Sequence, residues 1–158
     1  MSMSQQKPPY PAPEFSLVDS DDTRHELKDY YGKWLVLYFY PKDDTPGCTI
    51  EACSLRDAHD DLLATEAQVV GISMDTPASH EAFRDKHQLN FTLLSDPMGE
   101  TIRAYGAWGK KMFGVEGIQR KTFLIDPDGV VQKVYGRVTP VGHGKQVLAD
   151  LKALQVAR

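Results

Sequence analysis

Apolar and polar segments alternate along the first two-thirds of the chain. Residues 34–40 form an uninterrupted apolar run of aromatic and branched side chains that stops at a proline, which predicts a central strand buried on both faces. Two further strand-like runs occupy residues 68–73 and 91–94, and each follows a segment of helical character, at residues 46–64 and 77–87. This alternation is typical of parallel βαβ units.

The pattern changes in the last third of the chain. Two strand-like runs, Lys121–Ile125 and Val130–Tyr135, flank a turn sequence at residues 126–129, which predicts an antiparallel hairpin. Residues 144–154 place their apolar side chains on one helical face and predict a final helix. Parallel βαβ units followed by a hairpin and a helix are the order of a thioredoxin-like fold. We therefore predict an α/β protein with a mixed central sheet flanked by helices.

The N-terminal residues differ from the rest in composition. Residues 1–13 are polar and proline-rich, so we predict a loose, flexible N-terminal extension there. A short strand at residues 14–18 begins the folded part. A chain of 158 residues suits one core, and we predict a single domain over residues 14–158.

Charge and hydropathy narrow the possible partners. The 18 basic and 22 acidic residues give a formal charge of −4, which leaves no basic excess for nucleic acid. No apolar run approaches the roughly 18 residues of a membrane span, and the first residues lack the apolar core of a secretory signal. We predict a cytoplasmic protein that binds neither nucleic acid nor membrane. The absence of a long exposed apolar stretch favours a monomer.

Both cysteines of the chain lie near the start of the helix predicted at residues 46–64. Thr45 suits the N-cap and Pro46 the first helical position, which places Cys48 in the first turn. Free backbone N–H groups and the positive end of the helix dipole favour a thiolate there, so Cys48 is a better candidate nucleophile than the deeper Cys53. The alternative for either cysteine is a small buried apolar side chain.

The spacing of the two cysteines has a structural consequence. Cys53 lies five positions after Cys48, which in a helix corresponds to about 8.7 Å between their Cα atoms. A disulfide requires a separation of about 7 Å or less. If the two cysteines joined, this end of the helix would have to unwind. The reduced and oxidised proteins would then differ in local structure.

The sequence Pro41-x-x-x-Thr45-x-x-Cys48, followed by Cys53, resembles the active-site signature of the peroxiredoxins. Thr-Pro-Gly-Cys-Thr with a second cysteine five residues later is similar to the peroxiredoxin Q branch, also called bacterioferritin comigratory protein. Further segments resemble that branch in the same order, namely residues 70–73, 90–96, 105–109 and 117–126. The resemblance covers nearly the whole chain beyond the N-terminal extension.

The resemblance implies a role for each residue of the signature. Cys48 would be the peroxidatic cysteine, which attacks the peroxide and becomes a sulfenic acid, and Cys53 would be the resolving cysteine. Thr45 would orient the thiolate and the peroxide, while Pro41 would shield the sulfur from water. Arg120 would stabilise the thiolate and the negative charge that develops during the reaction.

Glu51, one turn beyond Cys48, matches a polar position that in this family helps to hold the arginine. Taken alone, these residues also allow simpler interpretations. Thr45 could be only a helix cap and Pro41 only a strand stop. Arg120 could be a solvated charge, and Glu51 an ordinary acid near the positive end of a helix. Arg120 does, however, directly precede a hairpin strand that this fold places near the strand ending at residue 40.

The activity that the resemblance implies is a thiol-dependent peroxidase acting on hydrogen peroxide or organic hydroperoxides. Thioredoxin or a similar dithiol would reduce it, without a metal or organic cofactor. The five histidines show no ligand spacing with the cysteines, so we predict no metal site. Trp108, Met112 and Phe113 would either line an apolar approach to Cys48 or simply pack a loop.

Two alternatives to the peroxidase remain at this point. One is a thiol-disulfide oxidoreductase of the same fold, although its usual Cys-x-x-Cys sequence is absent. The other is a non-catalytic redox sensor or binding module.

Overall fold

The computed structural model describes residues 7–157, apart from the side chain of Met112. The strands in this range are β1 (Tyr10–Pro11), β2 (Ser16–Val18), β3 (Arg24–Glu26), β4 (Trp34–Phe39), β5 (Ala67–Ser73), β6 (Thr92–Ser95), β7 (Trp108–Lys110), β8 (Glu116–Ile118), β9 (Lys121–Ile125) and β10 (Val130–Tyr135). The α-helices are α1 (Pro46–Ala64), α2 (Pro77–His87), α3 (Glu100–Ala104) and α4 (His143–Ala157), and 3₁₀ helices cover Leu27–Tyr30 and Met112–Gly114. No helix within residues 7–157 is both long and apolar enough to cross a membrane.

Eight of these strands form one mixed sheet in the order β1-β10-β9-β4-β5-β6-β2-β3. Strands β4, β5 and β6 run parallel, whereas β9 is antiparallel to β4. Strands β7 and β8 form a separate antiparallel pair. Because parallel strands are joined by helices that cover the faces of the sheet, the central strands are buried on both sides.

Strand β4 is the centre of the packing, and every one of its residues is buried. Its side chains alternate between the two faces of the sheet. Val36 and Tyr38 join a cluster that includes apolar residues of α1, α2 and α4. Leu35 and Leu37 join a second cluster on the opposite face, with residues of α3 and of the N-terminal segment. Packing on both faces fixes the position at which β4 ends.

The end of β4 brings two distant parts of the sequence together. The loop after β4 leads into α1, which begins at Pro46. On the neighbouring strand, β9 runs antiparallel with Lys121 opposite Phe39. Arg120 directly precedes Lys121 in the chain, so the register of the sheet places it beside the start of α1. The predicted proximity of this hairpin strand to the end of β4 is therefore confirmed.

The main secondary structure agrees closely with the predictions. Helices α1 and α2 and both hairpin strands have the predicted bounds, and β4 and β5 differ from them by one residue at one end. Helix α4 is longer than predicted because it also includes His143 and continues to Ala157. The predicted α/β architecture with a mixed central sheet is confirmed.

The prediction of a loose extension over residues 1–13 is wrong for its last residues. Tyr10–Pro11 forms β1, which pairs with Val130 and Val131 at the edge of the sheet. Tyr10 and Ala12 are buried, and the Ala12 N–H donates to the Gly129 carbonyl at 2.9 Å. The physical reason is that this segment covers the open edge of β10 and fills the core beneath it. Residues 1–6 lie outside the described residues.

Two short antiparallel pairings were not predicted. Strand β3 pairs with β2, and β7 pairs with β8. Each of these four strands is three residues long and contains polar side chains or glycine, so none has a long apolar run, and only β2 overlaps a predicted strand, at residues 14–18. Both pairings are local and leave the central sheet as predicted.

Tyr10→Ala tests whether β1 is an integral part of the fold. Because the aromatic side chain is buried, we expect its removal to lower the free energy of unfolding by about 3 kcal/mol. Urea denaturation of the full chain measures the change. Lys7→Ala, at an exposed position of the same segment, should change stability by less than about 0.5 kcal/mol. Equal effects of the two substitutions would contradict the assignment.

Candidate active site

Cys48 lies in the first turn of α1, close to the end of β4. The helix begins at Pro46, with Thr45 at the N-cap in an extended conformation. The Cys48 side chain is buried and its thiol is free. Arg120 Nη1 donates a hydrogen bond to Cys48 Sγ at 3.4 Å. The guanidinium of Arg120 and the first turn of α1 therefore both lie at this sulfur.

Arg120 is held by a second acidic partner. The same Nη1 donates to Glu51 Oε1 at 2.7 Å. The Glu51 carboxyl is fully buried, whereas 20% of the Arg120 side chain is exposed. Gly47 makes room for the guanidinium, since a Cβ at this position would lie 3.0 Å from Arg120 Nη2. The structure thus brings together Cys48, Glu51 and Arg120 in direct contact.

Burial sets the ionisation of Glu51. Removal from water raises the pKa of Glu51 to about 7, against the opposing hydrogen bond and charge of Arg120. Burial lowers the pKa of Arg120, but the bonds and charges of Glu51 and Cys48 outweigh it and the net shift is upward. Arg120 is therefore a permanent cation, and Glu51 ionises only near neutral pH.

Two buried polar atoms near the sulfur have no hydrogen-bond partner among the described residues. They are Glu51 Oε2 and the Tyr38 hydroxyl. Burial, followed by the charges of Glu51 and Cys48, raises the pKa of Tyr38 well above its ordinary value. Tyr38 is therefore a neutral phenol at physiological pH. The phenol ring is part of the buried, low-dielectric surroundings of the Arg120 guanidinium.

Thr45 and Pro41 lie on the loop that leads into α1, and both are half-buried. The Thr45 hydroxyl donates to the Lys42 carbonyl at 2.8 Å and does not cap the helix. Thr45 is thus the N-cap residue of α1, as predicted, but its side chain makes no capping hydrogen bond. Thr45 still occupies the N-cap position through its backbone, and its carbonyl accepts from the Thr49 N–H at 2.8 Å.

Cys53 is half-buried, carries a free thiol and lies within the continuous helix α1. It faces a groove between α1 and the start of α4, whose apolar residues include Ile50, Ala58, Val141 and Leu148. Ile50 and Val141 are exposed at the rim of this groove. The intact helix keeps the two thiols in separate turns, as the spacing predicts for the reduced protein.

The apolar residues proposed to approach Cys48 lie elsewhere in the structure. Trp108 packs against the core cluster on the face of the sheet opposite Cys48, with the Arg103 guanidinium 4.4 Å from its ring. Phe113 is 94% exposed. The side chain of Met112 lies outside the description. Of the two interpretations, packing is the one that fits Trp108.

Sequence reasoning missed a buried polar network beside the site. Asp43, Asp75 and His80 present ligand-type atoms within 4.8 Å of one another, and among the described residues this group could hold a metal ion. Each of these side chains is already engaged in hydrogen bonds to other protein groups. A polar histidine on the inner face of α2 was the available signal, but sequence spacing did not connect it to the catalytic loop.

Comparison with known proteins identifies the family. A family model described as AhpC/TSA matches residues 9–134. Peroxiredoxin Bcp of Escherichia coli strain K12 is 44% identical over 144 residues, which cover 89% of this chain and 92% of that protein. Peroxiredoxin Bcp of Bacillus subtilis strain 168 is 43% identical with the same coverage. This chain is a peroxiredoxin of the Bcp branch.

Solved structures of peroxiredoxin Q proteins resemble this peroxiredoxin closely. A mutant of Xylella fastidiosa PrxQ has a TM-score of 0.87 at 34% identity and covers 95% of this chain and 99% of its own. The Xanthomonas campestris bacterioferritin comigratory protein, described with alkyl peroxide reduction activity, has a TM-score of 0.85 at 38% identity, covering 89% and 91%. The predicted thioredoxin-like fold is confirmed.

The activity follows from the family. This peroxiredoxin is a thiol-dependent peroxidase, an oxidoreductase that takes a peroxide as substrate and a thiol as reductant. The prediction of a peroxidase is confirmed, and neither the oxidoreductase of the same fold nor the redox sensor has comparable support.

Glu51→Gln tests the buried carboxyl, because glutamine keeps its shape but is neutral at every pH. The pKa of about 7, against 4.5 for an unperturbed group, means that Glu51 contributes stability that is present below about pH 4.5 and is lost as pH rises through about 7. Relative to Glu51→Gln, we expect the wild type to lose about 2 kcal/mol of unfolding free energy between about pH 5 and about pH 8. Urea denaturation across this range measures it.

Glu81→Gln is the matched control for this prediction, since Glu81 is exposed on α2. Its stability difference from the wild type should stay constant over the same pH range. A constant difference for Glu51→Gln as well would show that burial does not perturb the Glu51 carboxyl.

Proposed function

We propose that Cys48 is the peroxidatic cysteine of this peroxiredoxin. Its thiolate attacks the terminal oxygen of a hydroperoxide, the O–O bond breaks, and the leaving oxygen takes a proton to become water or an alcohol. The sulfur is oxidised to a sulfenic acid and the peroxide is reduced. The observation that carries this proposal is the bond from Arg120 Nη1 to Cys48 Sγ at the start of α1.

Arg120 and Glu51 have different electrostatic roles in this proposal. Arg120 stabilises the thiolate before the reaction and the negative charge on the peroxide oxygens during it, in a largely water-free site. Glu51 accepts from Arg120 at 2.7 Å and fixes the direction of the guanidinium. A fixed donor loses little energy to reorganisation when charge moves from sulfur to oxygen.

Thr45 and Pro41 complete the peroxide site in this proposal. Pro41 follows the end of β4 and, as a residue without an N–H, shields the sulfur from water. The Thr45 hydroxyl gives its hydrogen to Lys42, which leaves its oxygen free to accept a hydrogen bond from the peroxide. Both hydrogen peroxide and alkyl hydroperoxides offer such an O–H group, and we propose both as substrates.

Cys53 is the resolving cysteine in this proposal. Its thiol attacks the Cys48 sulfenic acid, a disulfide forms and one water molecule leaves. Because α1 is continuous through both cysteines, its first turns must unwind for the sulfur atoms to meet. Ser54, the next residue, accepts from the Gly144 N–H at 2.8 Å. This bond to α4 marks the end of the segment that unwinds.

Thioredoxin or a similar dithiol resets the enzyme in this proposal. Its thiolate attacks the disulfide at Cys53, beside the groove with the exposed apolar rim of Ile50 and Val141. Two free thiols suit a compartment that keeps cysteines reduced, and we place the protein in the cytoplasm. We further propose that it acts as a monomer, since each chain carries both cysteines of the cycle.

Mass mapping after one equivalent of hydrogen peroxide tests both cysteine assignments. The wild type should lose two hydrogens and yield a peptide pair joined through Cys48 and Cys53, with faster amide hydrogen exchange over residues 46–53. Cys53→Ser should instead accumulate sulfenic or higher acids at Cys48. Ser54→Ala retains both thiols and should form the disulfide as the wild type does. A reduced Cys48 in the presence of excess peroxide would refute the proposal.

A further inference from the structure

The loop that carries Pro41 and Thr45 is fastened at its middle by Asp43. The Asp43 side chain is buried although the loop around it is largely polar. Its carboxylate accepts hydrogen bonds from the Tyr40 hydroxyl at 2.5 Å, and from Ser79 Oγ on α2 at 2.8 Å. Asp43 thus joins the loop to Tyr40, directly after β4, and to helix α2.

His80, fully buried on the inner face of α2, is the third partner of this carboxylate. His80 Nδ1 lies 2.8 Å from Asp43 Oδ2, and His80 Nε2 lies 3.1 Å from the Leu94 carbonyl. A carbonyl can only accept, so Nε2 carries a hydrogen and donates to Leu94. The Asp43 carboxylate also only accepts, so Nδ1 donates to it when His80 carries hydrogens on both ring nitrogens and pairs with Asp43 as a cation. His80 therefore connects the loop to β6 through two bonds of fixed direction.

The backbone of the loop is fastened at the same point. The Asp43 N–H donates to Asp75 Oδ2 at 2.9 Å, and Ser73 Oγ donates to the same oxygen at 2.7 Å. Asp75 lies two residues beyond the end of β5, so this bond connects the loop to the central sheet. Neither Cys48 nor Arg120 belongs to the network, which is therefore separate from the groups that stabilise charge.

We propose that Asp43 and His80 are positioning residues that hold Pro41 and Thr45 over Cys48 for the peroxide step. Asp43 lies two residues from each of them, so a shift of its side chain moves both. This inference rests on the proposed function of Cys48. It assigns to the pair no contact with the peroxide or with the sulfur. A displacement of about 1 Å in groups that orient a substrate can slow a reaction by roughly 100-fold.

Two substitutions of His80 separate positioning from simple support of the fold. His80→Asn places an amide nitrogen near the position of Nδ1, where it can donate to Asp43. His80→Gln places one near Nε2, where it can donate to Leu94 but leaves Asp43 without its partner. Both replace a buried ring by a smaller amide, so both leave a cavity. A merely structural role would make the two variants equivalent.

The measurement is the second-order rate constant for loss of the Cys48 thiol with hydrogen peroxide, by rapid quench and mass spectrometry. We expect His80→Gln to slow this step by about 10- to 100-fold and His80→Asn by less than about threefold. The rate of alkylation of Cys48 by iodoacetamide at neutral pH should change little in either, because Arg120 remains in place. His59→Gln, which alters a buried histidine packed on Phe91, controls for cavity formation and should react as the wild type does.

Equal rate constants in the two His80 variants would overturn the inference. If either variant fails to fold, Ser79→Ala decides, since Ser79 is half-buried and loses only its bond to Asp43. It should slow the peroxide step by about two- to fivefold, and a wild-type rate constant would contradict the proposal. Failure of the wild type itself to react with peroxide would refute the proposed function of Cys48 instead.

Discussion

The proposed chemistry of this peroxiredoxin depends on one guanidinium that contacts two acidic partners inside the protein. Arg120 reaches both Cys48 and Glu51 through the same nitrogen, and both partners are buried. Unpaired negative charges in such a place are strongly unfavourable, so in the proposed mechanism Arg120 is the partner that a Cys48 thiolate requires. Burial in turn strengthens the attraction, because little water is present to screen it. The burial that removes the Cys48 sulfur from water thus also strengthens its attraction to Arg120.

The sheet positions the Arg120 guanidinium beside the Cys48 sulfur. Strands β4 and β9 are neighbours, and their antiparallel register places Arg120 beside the turn from which α1 starts. Packing on both faces of β4 leaves its end no freedom to shift. Asp43 fastens the loop before α1 to helix α2 and to the segment after β5, through its bonds to His80, Ser79 and Asp75.

The order of the elements could be predicted because the buried strands and helices carry long periodic patterns, such as the apolar run of β4. The packing of Tyr10 could not, since two paired residues in a proline-rich segment leave no pattern. At the site, the positions of Cys48 and Arg120 could be predicted from the active-site signature and from the order of the strands in the sheet. The pairing of Asp43 with His80 could not, because the two are 37 residues apart and only the folded chain makes them neighbours. The bond of the Thr45 hydroxyl to Lys42 could not be predicted either, because the sequence does not fix the conformation of the loop before α1.

In the proposed mechanism Cys48 reduces peroxide through many catalytic cycles, and is not merely oxidised once. The most direct test is to supply thioredoxin, its reductase and a nicotinamide reductant, and to count the peroxide molecules consumed by each chain. We expect consumption to continue far beyond one equivalent per chain, and we expect Cys48→Ser to abolish it. Consumption that stops at one equivalent, with the disulfide formed and the reductant intact, would contradict the proposed mechanism and would identify the protein as a redox sensor.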